Sequence, residues 1–416
     1  MEELYAKYLE HPHICTDTRN IMPGCIFVCL KGERFDGNLF ALQALENGAA
    51  YVVTENKEMS SNPNCIIVDD SLKTLQDLAK YHREHLNIPI IGVTGTNGKT
   101  TTKELIAEVL SSKYQITYTK GNLNNHIGVP LTLLSIKPDD QLAVVEMGAN
   151  HPGEIEFLCN IAQPTFGVIT NIGKAHIEGF GSVEEIIHTK KALYRAVIEN
   201  DGTIFVNVND KILRDGLDYD KVVLYAEGGE DNIVSMSPYL QINVAGQTID
   251  THLTGSYNIF NFLAAAAIGH YFEVSDELVA EALANYMPTN HRSQINTIGS
   301  NTIISDYYNA NPTSMEAAVR NLSKLIHPRK RAILGDMREL GAISRDEHQH
   351  IIDLCNTFGL DVIFVGPEFS ALQPAHCFGN VDELNDYLLA NPITDSMILV
   401  KGSNGIHLDR LTSILQ

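Results

Sequence analysis

The chain has 416 residues, a net charge of -21 and seven scattered cysteines. This length accommodates about three domains of ordinary size. Its acidic balance repels nucleic-acid phosphates and anionic lipid, so neither is an expected partner. The N-terminus has no basic-then-apolar signal, and no window approaches roughly eighteen apolar residues, so we expect a cytoplasmic protein without membrane insertion. The odd number of cysteines favours reduced thiols over a disulfide framework.

Residues 1–86 carry short apolar segments separated by helical patterns, which predicts a small α/β domain. Cys25 and Cys29, with His11 and His13 nearby, allow a zinc interpretation. We favour a buried strand instead, because the cysteines stand in one apolar run and lack ordinary zinc-ligand spacing. The predicted strands of this domain are Ile26–Leu30, Tyr51–Thr54 and Cys65–Val68.

A phosphate-binding loop is predicted at the start of the next domain, residues 87–287. An apolar strand from Ile90 runs into Gly95-Thr-Asn-Gly-Lys-Thr-Thr101 and then into a helical pattern. Glycines let backbone N–H groups face a phosphate, while Lys99 neutralises charge and the Thr100 hydroxyl can reach Mg²⁺. The strict motif has glycine where this chain has Val93, so a glycine-rich turn with an incidental lysine is the alternative. The pattern predicts nucleoside triphosphate binding.

Strands and helices alternate after this loop, which predicts a mainly parallel sheet with helices on both faces. Glu146 ends one strand at the sheet edge where ligands collect, and we interpret it as a Mg²⁺ ligand rather than a solvated loop residue. His176 follows the next strand and either ligates metal, touches phosphate or lies in an exposed loop. Lys190 and Lys191 stand on a helix, where adjacent lysines usually form a solvated face.

Residues 288–416 show a third βα series, which predicts a C-terminal Rossmann-like sheet. It has no G-x-G-x-x-G fingerprint of dinucleotide binding. The fold class is therefore α/β with three domains: a small N-terminal domain, a central P-loop domain and this C-terminal domain. The predicted strands of the last domain are Thr302–Ser305, Arg331–Leu334, Asp361–Val365 and Met397–Val400.

Several motifs together resemble the Mur ligase family, in the right order and over nearly the whole chain. They are Gly95–Thr101, Gly121–Asn125 with Gly128–Thr132, Glu146–Asn150, Ala175–Ser182, Asp306–Pro312, Gly335–Gly341 and Val400–Ser403. The first motif is shared with the related folylpolyglutamate synthetases. The segments Asp306–Pro312 and Gly335–Gly341 favour the members that join D-alanyl-D-alanine to UDP-N-acetylmuramoyl-tripeptide in peptidoglycan precursor synthesis.

This resemblance implies an ATP-dependent amide ligase that forms an acyl phosphate on its substrate carboxylate, with Mg²⁺ as cofactor. It implies catalytic roles for Lys99, Glu146, His176 and Lys190, with Thr100 and Glu146 holding one Mg²⁺. His176 and a carbamylated Lys190 would hold a second. Lys190 is chosen over Lys191 because it takes the lysine position of the family pattern. The implied ATP-binding residues are Thr94, Gly95, Thr96, Asn97, Gly98, Lys99, Thr100, Asn258, Asn261, Arg292 and Asp306.

For the UDP-linked substrate, the resemblance implies binding by Thr18, Arg19, Asn124 and Asn125. Surface turns without a ligand are the alternative for the Thr16–Arg19 and Gly32–Asn38 segments. We expect a monomer. The alternative functions are another Mur-type or folylpolyglutamate-type ligase, and a switch protein that hydrolyses ATP or GTP without an amine substrate.

Overall fold

The computed structural model describes residues 1–33, 35–290, 292–412 and 414–415. The N-terminal part forms a four-stranded sheet of order β1-β2-β5-β6 with parallel pairing throughout, beside a short β3-β4 hairpin. Its strands are β1 (Ile14–Cys15), β2 (Ile26–Val28), β3 (Lys31–Gly32), β4 (Phe35–Asp36), β5 (Tyr51–Thr54) and β6 (Cys65–Ile67), and its helices are α1 (Glu2–Glu10), α2 (Ala41–Glu46) and α3 (Ser71–Glu84).

The cysteines near the N-terminus belong to the interior of this sheet. Cys25 and Cys29 flank β2, are free thiols and are fully buried. They pack in an apolar cluster with Phe27 and Val52. The predicted strand is therefore present, with its ends trimmed to Ile26–Val28.

The central part forms a six-stranded parallel sheet of order β12-β11-β10-β7-β9-β8, followed by an antiparallel sheet β13-β14-β15. Its elements are β7 (Ile90–Thr94), α4 (Lys99–Ser111), β8 (Ile116–Tyr118), α5 (Gly128–Leu133), β9 (Leu142–Glu146), α6 (Glu154–Ala162), β10 (Phe166–Ile169), α7 (Ile177–Phe180), α8 (Val183–Glu199), β11 (Thr203–Asn207), α9 (Lys211–Arg214), β12 (Val222–Tyr225), β13 (Ile233–Ser235), β14 (Gln241–Val244), β15 (Gln247–Asp250), α10 (Ile259–Tyr271) and α11 (Asp276–Asn285).

The central sheet is covered on both faces, as its continuous apolar strands predict. Along β9, Ala143 and Val145 pack in one apolar cluster, whereas Val144 packs in the other. Successive side chains of a strand point to opposite faces, so each face has its own helical layer. This arrangement leaves the carboxyl ends of β7, β9 and β10 at one edge, and that edge positions the candidate site.

The C-terminal part forms a six-stranded sheet of order β16-β17-β21-β18-β19-β20, in which only the β16-β17 pairing is antiparallel among the described strands. Its elements are β16 (Gln294–Ile298), β17 (Asn301–Asp306), α12 (Pro312–Lys324), β18 (Lys330–Gly335), α13 (Ser344–Thr357), β19 (Asp361–Val365), α14 (Pro367–Ser370), β20 (Cys377–Phe378), α15 (Val381–Ala390) and β21 (Met397–Lys401).

The mixed α/β class with mainly parallel sheets is confirmed. The domain limits at 86/87 and 287/288 stay predictions. No helix formed by the described residues is both long and apolar enough to span a bilayer.

Candidate active site

The predicted phosphate loop connects the end of β7 to the first turn of α4. Gly98 is the N-cap of α4 with φ +79°, and Gly95 has φ +146°. A Cβ atom on Gly95 would lie 1.9 Å from the Thr170 hydroxyl oxygen, and one on Gly98 would lie 2.7 Å from Asn261 Oδ1. Only glycine fits this path, which brings the loop to the N-terminus of α4, where a helix favours an anion.

Residues that follow β10 hold this loop in place before any ligand arrives. The backbone N–H of Thr96 donates to the Asn171 carbonyl at 2.9 Å, and that of Asn97 donates to Asn171 Oδ1 at 3.0 Å. The Thr170 hydroxyl donates to the Asn97 carbonyl at 2.6 Å. Thr94 is buried behind the loop, where its hydroxyl donates to the Met147 carbonyl at 2.7 Å. The loop is therefore preorganised.

Lys99 curls back over the phosphate loop. Its Nζ donates to the carbonyls of Gly95 at 2.9 Å and Thr96 at 3.1 Å. The low-polarity surroundings lower the pKa of Lys99 to about 8, while the negative charge of Glu146 opposes this shift. A bound triphosphate would supply the negative charge that stabilises the protonated, ammonium form of this lysine.

Glu146 ends β9 directly opposite this lysine and is fully buried. Its Oε1 accepts from the Thr100 hydroxyl at 3.1 Å and from Asn124 Nδ2 at 2.8 Å. Its Oε2 is buried without a hydrogen-bond partner. An acceptor with free lone pairs beside a threonine hydroxyl fits a hard cation such as Mg²⁺. No cluster of three His, Cys, Asp or Glu side chains with metal-binding geometry occurs among the described residues.

Lys103 is a residue of this site that the sequence interpretation missed. It is fully buried, lies one helical turn after Lys99, and donates to the Thr119 carbonyl at 2.8 Å. Its Nζ is 3.9 Å from Glu146 Oε2, so it compensates the buried carboxylate and anchors the start of the loop that carries Asn124. A lysine four positions after Lys99 was the available signal, since both side chains lie on one helix face.

His176 and Lys190 lie at the far side of the phosphate loop. His176 lines the cleft in a left-handed conformation, φ +52°, and its Nδ1 pairs with Glu339 Oε2. Burial lowers the pKa of His176, with Glu339 opposing, so the neutral ring is favoured. Lys190 is buried on α8, and burial together with the charge of Lys99 holds its pKa well below the ordinary value. Lys191 is partly exposed.

Asn258 and Asn261 form a buried polar chain. Asn261 Nδ2 donates to Asn258 Oδ1 at 2.8 Å, and the Thr102 hydroxyl donates to Asn261 Oδ1 at 3.1 Å. Asn258 Nδ2 donates to the Thr254 carbonyl at 2.7 Å, whereas its side chain makes no capping bond to α10. Neither asparagine side chain caps α10 or lies on its exposed face. Both line the same cleft.

The C-terminal part supplies the opposite wall. The Arg292 guanidinium carbon lies 3.9 Å from the ring centroid of Tyr308, and its buried Nε has no hydrogen-bond partner. Asp306 Oδ2 accepts from Lys401 Nζ at 2.8 Å, and Oδ1 accepts from the Ser293 N–H at 3.2 Å. Tyr308 and Lys401 are further site residues that sequence spacing left unassigned.

The Asn311 side chain contacts the opposite wall of the cleft and also caps a helix of its own wall. Its Nδ2 donates to Asn97 Oδ1 at 2.7 Å. Its Oδ1 accepts from the Ser314 N–H at 2.9 Å, which caps α12 in a reciprocal capping box. One side chain therefore fixes both a helix start and the approach of the C-terminal wall to the phosphate loop.

These walls enclose a cleft of about 510 Å³. Of the predicted residues it is lined by Thr96, Asn97, Gly98, Lys99, Asn124, Asn125, Glu146, His176, Asn258, Asn261, Arg292 and Asp306. Thr94, Gly95, Thr100 and Lys190 are not among the lining residues and support it from behind. Asn125 Oδ1 also accepts from the N–H of Gly128, the first residue of α5, at 2.9 Å.

Two of the four residues predicted to bind the UDP-linked substrate, Thr18 and Arg19, do not line this cleft. Thr18 and Arg19 stand on a short helical turn, where Arg19 pairs with Asp17 at 2.6 Å and its side chain is 85% exposed. Asn38 lines a second, open cavity of about 710 Å³ and accepts from the Thr54 hydroxyl at 2.7 Å. Arg34, in the same predicted segment, and His291, beside Arg292, lie outside the described residues.

A preformed phosphate-binding loop beside a buried carboxylate, facing a second α/β wall across a cleft, is the arrangement of an α/β protein that binds a nucleoside triphosphate. Family models match along the chain: a Mur ligase family catalytic domain at residues 12–90, a Mur ligase middle domain at 93–269, and a Mur ligase glutamate ligase domain at 291–404. The chain belongs to the Mur ligase family, and it is a ligase that forms a carbon–nitrogen bond with ATP.

Individual relatives agree over nearly full length. The UDP-N-acetylmuramoyl-tripeptide–D-alanyl-D-alanine ligase of Bacillus subtilis is 35% identical, covering 97% of this chain and 92% of its own. Its Escherichia coli counterpart is 32% identical, covering 97% and 93%. A crystal structure of MurF from Acinetobacter baumannii superposes with a TM-score of 0.86 at 32% identity, covering 97% and 93%. Thermotoga maritima MurF in complex with ADP gives 0.82 at 27%, covering 97% and 96%.

Proposed function

We propose that this chain joins D-alanyl-D-alanine to UDP-N-acetylmuramoyl-tripeptide at the expense of ATP, in peptidoglycan precursor synthesis. The observation that carries the chemistry is the preformed phosphate loop facing Glu146, whose Oε2 has no hydrogen-bond partner. The relatives named for this reaction, similar over nearly the whole chain, support the choice of substrates.

The reaction begins at the terminal carboxylate of the tripeptide. A carboxylate oxygen attacks the γ-phosphorus of ATP, the bond to ADP breaks, and an acyl phosphate forms. The amine of D-alanyl-D-alanine then attacks the acyl carbon, loses a proton, and inorganic phosphate leaves. Phosphorylation is needed because a carboxylate oxygen is a poor leaving group. Positioning and charge neutralisation carry most of the catalysis in such transfers.

The residues of the cleft divide this work. Lys99 neutralises the outer phosphates from within the loop. Arg292 lines the cleft, and its Nε, which has no hydrogen-bond partner, would bind the γ-phosphate. Thr100 and Glu146 would hold one Mg²⁺, which supplies Lewis-acid charge neutralisation. Asn258 and Asn261 would border the adenine, and Asp306 the ribose.

A carbamate on Lys190 is part of this proposal, with His176 as its partner around a second Mg²⁺. A protonated lysine would repel the cation, whereas the carbamate is a carboxylate. The depressed pKa of Lys190 supports this step, because only the neutral amine can attack CO₂. Among the described residues Lys190 Nζ has no hydrogen-bond partner, and it lies 5.9 Å from the centroid of the Phe180 ring.

The remaining assignments concern the second substrate-binding region and the setting. We assign Thr18 and Arg19 to the UDP moiety, and Asn124 and Asn125 to the muramoyl peptide at the cleft. Asn124 and Asn125 support this by lining the same cleft as Glu146. We further propose a monomeric, cytoplasmic enzyme.

The test supplies purified protein with ATP, Mg²⁺, UDP-muramoyl tripeptide and D-alanyl-D-alanine, and measures ADP, phosphate and product mass. A product heavier by the dipeptide less one water, with one ADP per bond, is expected. ADP formation without any amine would instead indicate a nucleotide switch. Coupling only to other amino acids would indicate another Mur-type or folylpolyglutamate-type ligase.

A further inference from the structure

The pair formed by His176 and Glu339 joins the central part of the chain to the C-terminal part. Glu339 belongs to the turn that follows β18, and its Oε2 pairs with His176 Nδ1. The Glu339 carbonyl also accepts from the Glu178 N–H at 3.2 Å. A second ion pair lies at the same junction, where Lys174 Nζ meets Glu347 Oε1 at 2.9 Å. The contact at His176 is thus part of a polar seam between the two parts.

Both members of the pair hold a backbone conformation that side chains seldom adopt. Glu339 has φ +63° and His176 has φ +52°. Glycine forms such a turn more easily because it has no Cβ atom to crowd the following carbonyl, and asparagine tolerates it because its short amide can hydrogen-bond locally. Strain of this kind clusters at functional sites, where the side chain contributes something a glycine does not. Here the two strained residues face each other across the seam.

The pairing decides which ring nitrogen of His176 is available. Nδ1 is engaged by the Glu339 carboxylate, so Nε2 is left for a ligand in the cleft that His176 lines. A carboxylate on one imidazole nitrogen fixes the tautomer, orients the ring and raises its basicity toward a metal on the other nitrogen. Glu339 is 55% exposed at its side chain, and it reaches His176 only through the approach of the C-terminal part.

We infer that Glu339 is a positioning residue: when the C-terminal part closes on the central part, Glu339 orients the His176 imidazole and completes the second cation position. This inference rests on the proposed metal role of His176. The Gly335–Gly341 turn then has a role in the reaction other than binding the nucleotide or the amine.

The experiment measures cation binding rather than turnover. Full-length protein with a non-hydrolysable ATP analogue and UDP-muramoyl tripeptide is titrated with Mn²⁺, and free Mn²⁺ is read by electron paramagnetic resonance. Glu339→Gly removes the carboxylate but suits the φ of +63°, and Glu339→Asn tolerates it too. Glu347→Gln is the matched control, because it breaks an ion pair of the same seam that does not touch His176.

We expect both Glu339 variants to bind the weaker Mn²⁺ about 10- to 100-fold less tightly, with the tighter Mn²⁺ and the melting temperature little changed. Glu347→Gln should bind Mn²⁺ like the unmodified chain. Unchanged Mn²⁺ affinity in the Glu339 variants overturns the inference, and so does an equal loss in Glu347→Gln, which would reduce the pair to a seam contact. If the unmodified chain binds no Mn²⁺, the proposed metal function itself fails, and the inference fails with it.

Discussion

The central part of the chain meets its two neighbours in opposite ways. Toward the N-terminal part, α3 packs on α5 and α6, and one apolar cluster takes in residues of both. Leu75 and Leu78 of α3 share this cluster with Val129 and Leu133 of α5. Buried polar contacts reinforce it: Arg83 Nε donates to the Ala162 carbonyl at 3.0 Å. Separating these parts would expose apolar surface to water.

Toward the C-terminal part, the junction is polar. Its contacts include Asn97 with Asn311, Lys174 with Glu347 and His176 with Glu339. The apolar clusters of the C-terminal part draw only on residues from 295 onward. Water can replace polar contacts at little cost, so this junction can open while the apolar one stays fixed. The cleft lies at the junction that can open, which suits an enzyme that must admit ATP and then exclude water.

The largest effect that sharpens this contrast is expected at the phosphate loop. Lys99→Ala should reduce turnover by at least about 10³-fold, because it removes the charge aimed at the transferring phosphoryl group. The melting temperature should hardly change, since burial already disfavours the charged lysine. Coupled ADP release and calorimetry measure both quantities. Lys80→Ala, at an exposed lysine of α3, is the control. Undiminished turnover in Lys99→Ala would refute the assigned phosphate role.

The next effect is expected at Lys190. Lys190→Ala should lower turnover on the order of 10²-fold or more, since a metal position contributes several kcal/mol. Added acetate or formate should restore part of the rate by supplying the missing carboxylate. Lys191→Ala, at the partly exposed neighbour, is the matched control and should retain activity. Loss of turnover in the Lys191 variant alone would transfer the role to that lysine.

Sequence alone predicts the elements of the cleft whose signal is local. The phosphate loop needs one strand, one turn and one helix start in a row, and the strand predicted to end at Glu146 is present as Leu142–Glu146. Strands with little apolar signal were missed, such as the edge strand Ile116–Tyr118, whose residues are all half-buried. The short antiparallel sheet of β13, β14 and β15 was missed for the same reason.

The contacts across the cleft could not be predicted from spacing. Glu339 lies 163 positions from His176, and Asn97 lies 214 positions from Asn311. Such pairs depend on how the sheets of the central and C-terminal parts face each other. Periodicity along the sequence carries no information about that arrangement. Lys103 is intermediate: its position on α4 is local information, but its partner Thr119 is brought there by β8.

A smaller effect, of a different kind, is expected at the apolar junction. Leu78→Ala should lower the free energy of unfolding by about 3 kcal/mol, because it empties part of a buried cluster. Turnover of the folded enzyme should remain close to normal. Urea unfolding measures the change, with Leu389→Ala, at a leucine that is 66% exposed, as the control. If residues 1–86 unfold in a separate, earlier transition while the rest stays folded, the shared core is refuted.

The smallest effect concerns His82 on α3, whose ring contacts the rings of Tyr5 and Tyr8. Burial lowers the pKa of His82 to about 4, from an ordinary 6.5. The unfolded chain therefore takes up a proton below pH 6.5 that the folded chain refuses until about pH 4. The free energy of unfolding should fall through this window as pH decreases.

The variant His82→Gln isolates this contribution, because glutamine cannot titrate while carboxylates elsewhere still do. Its unfolding free energy should depend less steeply on pH between 6.5 and 4 than that of the unmodified chain, and the two profiles should run parallel above pH 6.5. Equal slopes in the window would mean that water reaches His82 in the folded state. The packing of α1 against α3 would then be looser than the contacts indicate. The N-terminal part would then be able to open to water, as the polar junction with the C-terminal part can.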